Sequence, residues 1–165
     1  MAKILIVATV DQHIKNFHRP LIKALAQNGH KVYIASNGQE VFEGIIRKYD
    51  LPFQRNPLNF DNVAVFRDLK KILDNEKFDV MHVNTPVGSV VGRLAAKKSR
   101  QNGLKVIYTA HGFHFFKGAP LKNWLVYYPI EKICARKTDT IITINNEDYN
   151  LAKSKLHAGH ISYVH

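Results

Sequence analysis

Apolar and polar residues follow two alternating rhythms along this chain. Lys3 to Thr9 is a β-branched, apolar run, the signature of a parallel strand covered on both faces. Asn16 to Asn28 carries Phe17, Leu21, Ile22, Leu25 and Ala26 at helical spacing, and Gly29 stands where a helix-ending glycine belongs. Lys31 to Ser36 reads as a second strand. Gln39 to Lys48 reads as a second helix with Val41, Phe42, Ile45 and Ile46 inward, and Leu51 to Gln54 as a short third strand weakened by Pro52. Asp61 or Asn62 caps a helix reaching about Asn75, with Val65, Phe66, Leu69, Ile72 and Leu73 on its buried face. Phe78 to Asn84 is a fourth strand. Pro86 opens a helix whose stripe is Val87, Val90, Val91, Leu94 and Ala95, with Lys97, Lys98 and Arg100 in its last turns. Leu104 to Ala110 is strand five, Pro120 to Lys137 a helix, Asp139 to Ile144 strand six, Asn145 or Asn146 the cap of a helix ending near Leu156, and Ile161 to Val164 a seventh strand.

Seven strands alternating with six helices, without an internal repeat, predict an α/β fold: a Rossmann-like, doubly wound parallel sheet covered on both faces. The 165 residues fit one domain over 1–165. The chain reaches His165 on a strand with no closing helix, so it reads as the front piece of a longer protein.

Composition narrows the class. A hydrophobic fraction of 45% is that of a folded protein, and no apolar run approaches the ~20 residues of a membrane span. The amino terminus enters a strand directly, unlike a signal peptide. One cysteine, Cys134, cannot close an internal disulfide, which favours a cytoplasmic protein. Twenty-four Lys and Arg against 13 Asp and Glu give a net charge of +11. The excess gathers late, at Lys97, Lys98, Arg100, Lys105, Lys117, Lys122, Lys132, Arg136 and Lys137, which suits an anionic partner or a solvated basic surface.

Candidate chemistry concentrates between Tyr108 and Arg136. His111 directly follows strand five, where open α/β sheets place ligands above the strand ends. With Gly112, His114 and Lys117 it makes a loop rich in groups that meet hydroxyls or phosphates. The spacing of His111 and His114, with no carboxylate or cysteine pair nearby, does not make a zinc site, and no metal is expected. Thr85 either caps the helix from Pro86 or meets a ligand. Gly88 and Gly92 serve close packing.

The first strand-to-helix loop, Ala8 to Asn16, carries neither G-x-G-x-x-G nor a P-loop. His13, Lys15, His18 and Arg19 make it basic, so the following helix start is a possible phosphate site. The helix with Trp124, Tyr127 and Tyr128 is either core or a membrane-interface element, with Pro129 as a kink. Glu131 is expected to pair with Lys132, Lys117 or Arg136.

The run H-G-F-H-F-F-K-G-A-P-L-K-N-W-L-V-Y-Y-P-I-E-K, with T-D-T-I-I-T-I-N-N-E-D-Y and the earlier D-V-M-H-V-N-T-P-V-G-S, resembles bacterial family 4 glycosyltransferases. The branch is the one that builds capsular and exopolysaccharide repeat units, and the resemblance spans the whole chain. It implies a GT-B architecture of two Rossmann-like domains, of which this is the amino-terminal, acceptor-side half. The carboxyl-terminal domain, with the paired glutamates that hold the nucleotide-sugar, is then absent. It further implies a retaining enzyme using a nucleotide-sugar as co-substrate, without cofactor or metal. The acceptor would be a lipid-diphosphate-linked sugar at the inner face of the cytoplasmic membrane.

By the resemblance His111 matches the family's catalytic-site histidine, which contacts the transferred sugar. Gly112, His114, Lys117, Thr85, His13 and Lys15 are the expected substrate contacts. Lys122, Trp124, Lys132, Arg136 and Lys137 are the expected membrane-surface residues. The family's glycine-rich loop after strand one is replaced by Thr9 to Asn16. Two other classes stay open: a non-catalytic membrane-docking subunit for a separate glycosyltransferase chain, and a nucleic-acid-binding domain, against which the lack of a helix-turn-helix or aromatic strand platform counts.

Overall fold

A computed structural model describes residues 1–57 and 59–164. His165, where the expected break between domains falls, lies outside them. The elements in chain order are β1 (Lys3–Val10), α1 (Asp11–Phe17), α2 (Arg19–Gln27), β2 (Lys31–Asn37), β3 (Arg47–Asp50), α3 (Asp61–Glu76), β4 (Val80–Val83), α4 (Pro86–Ala95), α5 (Lys97–Gln101), β5 (Lys105–Ala110), α6 (Leu121–Ala135), β6 (Thr140–Thr143), α7 (Asn146–Lys155) and β7 (His160–Tyr163). The strands form one parallel sheet in the order β3-β2-β1-β4-β5-β6-β7. This is the doubly wound order in which the winding reverses between β1 and β4. The crevice above the carboxyl ends of those two strands is where such folds bind ligands.

Leu5, Ile6, Val7, Val32, Ile34, Val83 and Val106 are buried, which explains the continuous apolar runs. One face packs against α3, α4, α6 and α7 through a core including Leu69, Val91, Tyr108, Phe113 and Phe115. The other packs Ile14, Ile22 and Phe42 against Ile6, Ala8 and Ile34. The predicted fold class is confirmed.

Four local expectations are corrected. The helix expected over 39–48 does not form. The crossover from β2 to β3 has only residues 38–46, too few for a covering helix between parallel strands. Gly44 turns with φ 76°, beside Ala26. Only Phe42 is buried there, while Val41 and Ile46 are exposed. The third strand accordingly lies at Arg47–Asp50, not at 51–54. The helix expected over 16–28 begins at Asp11 and breaks at His18, where Pro20 opens a new helix and cannot donate to a preceding carbonyl. The predicted helix from Pro86 likewise divides at Ala96 into α4 and α5.

Candidate functional site

β1 runs straight into α1, so the expected basic loop is absent. Asp11 occupies the first turn of the helix and is buried. It accepts from Ser36 Oγ at 2.5 Å and from the Glu40 N–H at 2.9 Å, and it pairs with Lys48 at 3.0 Å. A carboxylate at that helix start takes the place a phosphate would need. Lys15 is turned aside as well, to Glu40 at 2.7 Å.

His13 is the residue of α1 that faces the crevice. Its ring lies 4.6 Å from that of His111, edge to face, and 5.4 Å from that of His18. His18, at the break between α1 and α2, is buried and stands edge-on to His82 of β4 at 5.4 Å. His82 Nε2 is 2.8 Å from Thr109 Oγ1 of β5. Four histidines from β1–α1, the helix break, β4 and β5 thus meet at the switch point. Burial first, then His111 and His18, lowers the His13 pKa to about 4. Burial, then His82 and His111, brings His18 to about 4 against a weak opposing contribution of Asn84. His82 falls to about 4 by burial, then by His111 and His13, and burial also lowers His111. At neutral pH the cluster is therefore a set of neutral imidazoles, each with one donor and one acceptor nitrogen. The basic character expected at His13 is not there.

Thr85 is built into the scaffold. It adopts φ 62° and ψ 151°, a region that side chains other than glycine rarely enter. Its Oγ1 accepts from the Thr9 N–H at 3.0 Å and meets Thr9 Oγ1 at 2.7 Å, while Thr9 Oγ1 accepts from the Gly88 N–H at 3.2 Å. This lattice locks α4 onto β1 and leaves the Thr85 side chain no capping bond to its helix. Gly88 permits the approach, since a Cβ there would lie 2.8 Å from Thr85 Oγ1.

In the loop after β5 alternate residues take opposite roles. Phe113 and Phe115 are buried, stacked at 5.0 Å, and Phe115 meets Trp124 and Tyr128 at 5.5 Å. The Phe113 N–H donates to the Asp148 carboxylate, itself held by the α7 cap Asn145. His111, Gly112, His114 and Lys117 are exposed. His114 packs on Tyr127 at 4.6 Å, outside the histidine cluster, and the Lys117 N–H donates to Glu147 at 3.3 Å.

α6 corrects two further readings. Glu131 pairs with none of the expected partners but with Arg93 of α4, at 2.5 Å, in the interior. Trp124 is half-buried: its Nε1–H donates to the Phe116 carbonyl at 3.2 Å, so its indole does not face outward. The outward stripe is Leu121, Leu125, Pro129 and Ile133, four residues apart, beside exposed Val126, with Lys122 and Arg136 also exposed. Lys132 leans over the Tyr128 ring and Lys137 is half-buried. Among the described residues no helix is long and apolar enough to cross a membrane. A cavity of about 780 Å³ lies between α2 and the segment after β2, lined by residues including Arg19, Lys23, Phe42 and Glu43, with no histidine in its lining.

Sequence reasoning found His13 and His18 as part of a basic loop and His111 by itself, but not the cluster. The signal it passed over is His82, an imidazole inside an otherwise apolar strand.

The glycosyl transferase 4-like family model matches residues 3–145. The chain is 52% identical over 151 residues to the Bacillus subtilis (strain 168) protein named "Putative glycosyltransferase EpsD", over 92% of this chain and 40% of that one. It is 30% identical over 103 residues to the Escherichia coli UDP-Gal:alpha-D-GlcNAc-diphosphoundecaprenol alpha-1,3-galactosyltransferase, over 58% of this chain and 26% of that one. The chain thus spans less than half the length of the curated relatives it matches. Among solved structures, the MnaA–UDP complex from S. aureus superposes with a TM-score of 0.69 at 17% identity, over 97% of this chain and 44% of that one, a likeness of fold. With its sequence, its sheet order and its relatives in agreement, the chain belongs to the glycosyl transferase 4-like family.

Proposed function

We propose that this chain is the acceptor-side domain of a retaining glycosyltransferase that moves a sugar from a nucleotide-sugar to a lipid-diphosphate-linked acceptor in capsule or exopolysaccharide synthesis. The observation that carries the reading is His111, which follows β5 at the switch point of a family 4 fold, stands beside His13 and is kept neutral by burial. A neutral imidazole there can donate to a hydroxyl of the transferred sugar through one ring nitrogen. The Escherichia coli relative, named for a diphosphoundecaprenol acceptor, supports the acceptor class. The net charge of +11 and the apolar outer stripe of α6 support a peripheral position at the inner face of the cytoplasmic membrane. The donor's nucleotide falls to the partner domain of the full-length protein, and the loop to Lys117 shapes the acceptor side.

The test is transfer from a panel of nucleotide-sugars to a lipid-diphosphate sugar by the full-length protein and its His111→Ala variant. The variant is expected to lose about ten- to a hundredfold in turnover, the worth of a hydrogen bond to a group developing charge, with its unfolding midpoint unchanged. Equal turnover would remove His111 from the reaction. No transfer by either protein, with intact fold and vesicle binding, would favour a docking subunit.

A further inference from the structure

We propose that His13, His18 and His111 form a binding site for a divalent transition cation of the Zn2+ or Co2+ class at the mouth of the crevice between β1 and β4. One ring nitrogen from each residue lies within 4.8 Å of the other two. A tetrahedral ion with nitrogen ligands at about 2.1 Å sets those nitrogens about 3.4 Å apart, so the rings have roughly 1.4 Å to close. His111 is exposed and His13 half-buried at the rim, which leaves both free to turn about their side-chain torsions.

An independent observation points the same way. Nε2 of His13 is buried and makes no hydrogen bond to the described residues. Buried polar atoms without a partner are rare, and one set against two further imidazoles marks a place made for a ligand with an electron-pair vacancy. The imidazoles are already in the neutral form that a metal requires, with no proton to displace.

The surroundings select the kind of cation. His82, bonded to Thr109, backs the His18 ring from the sheet side, and the Asn84 side chain stands within hydrogen-bonding reach of His18. A carbonyl oxygen there suits the second N–H of a metal-bound imidazole. The acid closest in sequence to His13, Asp11, is committed to Ser36, Glu40 and Lys48. A neutral set of three nitrogens with no carboxylate disfavours Mg2+, Ca2+ and Mn2+ and suits Zn2+, Co2+ or Ni2+, with a fourth position open toward the crevice. The expectation of a metal-free chain rested on the family resemblance and on the spacing of His111 and His114, and His114 belongs to a different surface.

The experiment is titration of the chelator-stripped protein with Co2+, followed by the visible d–d band of tetrahedral cobalt, then displacement with Zn2+. One equivalent per chain is expected to raise the band and Zn2+ to abolish it. His18→Gln and His13→Gln should each remove the band and weaken Zn2+ binding by about a hundredfold or more, while His114→Ala keeps both. Circular dichroism and the unfolding midpoint confirm the fold; if His18→Gln fails to fold, His13→Gln at the crevice rim decides. The proposal is overturned if no band forms, if the band survives both glutamine variants, or if inorganic phosphate raises the unfolding midpoint through these histidines while the metal alone does not.

Discussion

Arg93 and Glu131 give the sharpest test of how the site loop is held. The Arg93 side chain has 0% exposure and Glu131 only 9%. Its NH1 donates to Glu131 Oε1 at 2.5 Å and its NH2 to Oε2 at 3.0 Å. Its Nε–H reaches the Ser89 carbonyl at 3.0 Å and its NH2 the Ser89 hydroxyl at 3.1 Å. The Tyr108 ring lies 4.2 Å from the guanidinium. Burial pulls the Arg93 pKa down, but the Glu131 carboxylate outweighs it and holds the value above the ordinary one. Glu131→Gln keeps the shape and removes the charge, leaving a desolvated cation with a neutral partner. The expected loss is about 3 kcal/mol, the low end of the 3–5 kcal/mol for breaking a buried pair, because the amide oxygen still accepts one bond. In a chain of this size that lowers the melting temperature by about 6–12 °C.

The assay is urea unfolding followed by the single tryptophan, Trp124, which sits on the helix concerned. Arg93→Met combined with Glu131→Leu should return stability to within about 1 kcal/mol of the parent or above it, since an apolar replacement leaves no unpaired charge. A Glu131→Gln variant within 1 kcal/mol of the parent, or a double variant as weak as the single one, would refute this account.

Three further outcomes follow from the same geometry. His82 stays neutral in the folded state down to about pH 4 but titrates near 6.5 when unfolded, so the unfolded chain binds more protons between those values. Stability is then complete above pH 6.5 and falls on acidification toward pH 4, by up to about 3 kcal/mol for His82 alone. Urea midpoints in the presence of chelator should show this slope, and His82→Gln should lessen it, leaving the part that His13 and His18 contribute. Gly88→Ala should cost about 1–3 kcal/mol in the same assay, because its Cβ would sit 2.8 Å from Thr85 Oγ1 and 3.1 Å from the Ala8 and Thr9 backbone; a neutral result would mean that α4 can shift. Leu125→Glu with Ile133→Glu, on residues 68% and 55% exposed, should weaken sedimentation with anionic vesicles about a hundredfold without changing the unfolding midpoint, and unchanged binding would move the membrane surface elsewhere.

Local sequence was enough for much of this protein. Runs such as Lys3 to Thr9 and Leu104 to Ala110 are apolar because both faces of a parallel strand are covered, and that requirement is written at each position. The same runs fix where the loops leave the sheet, so His111 could be placed above the strand ends from sequence alone. What lies between residues distant in sequence could not. A helix over 39–48 satisfied the spacing of Val41, Phe42, Ile45 and Ile46, but the short crossover to β3 overruled it. Glu131 had three lysines or arginines near in sequence and found its partner in Arg93, 38 residues away, because a buried guanidinium must be met by a carboxylate and packing placed this one against it. His13, His18, His82 and His111 carry no common spacing. Only the reversal of strand order between β1 and β4 brings them together, and burial in that crevice, set by the fold as a whole, holds them neutral.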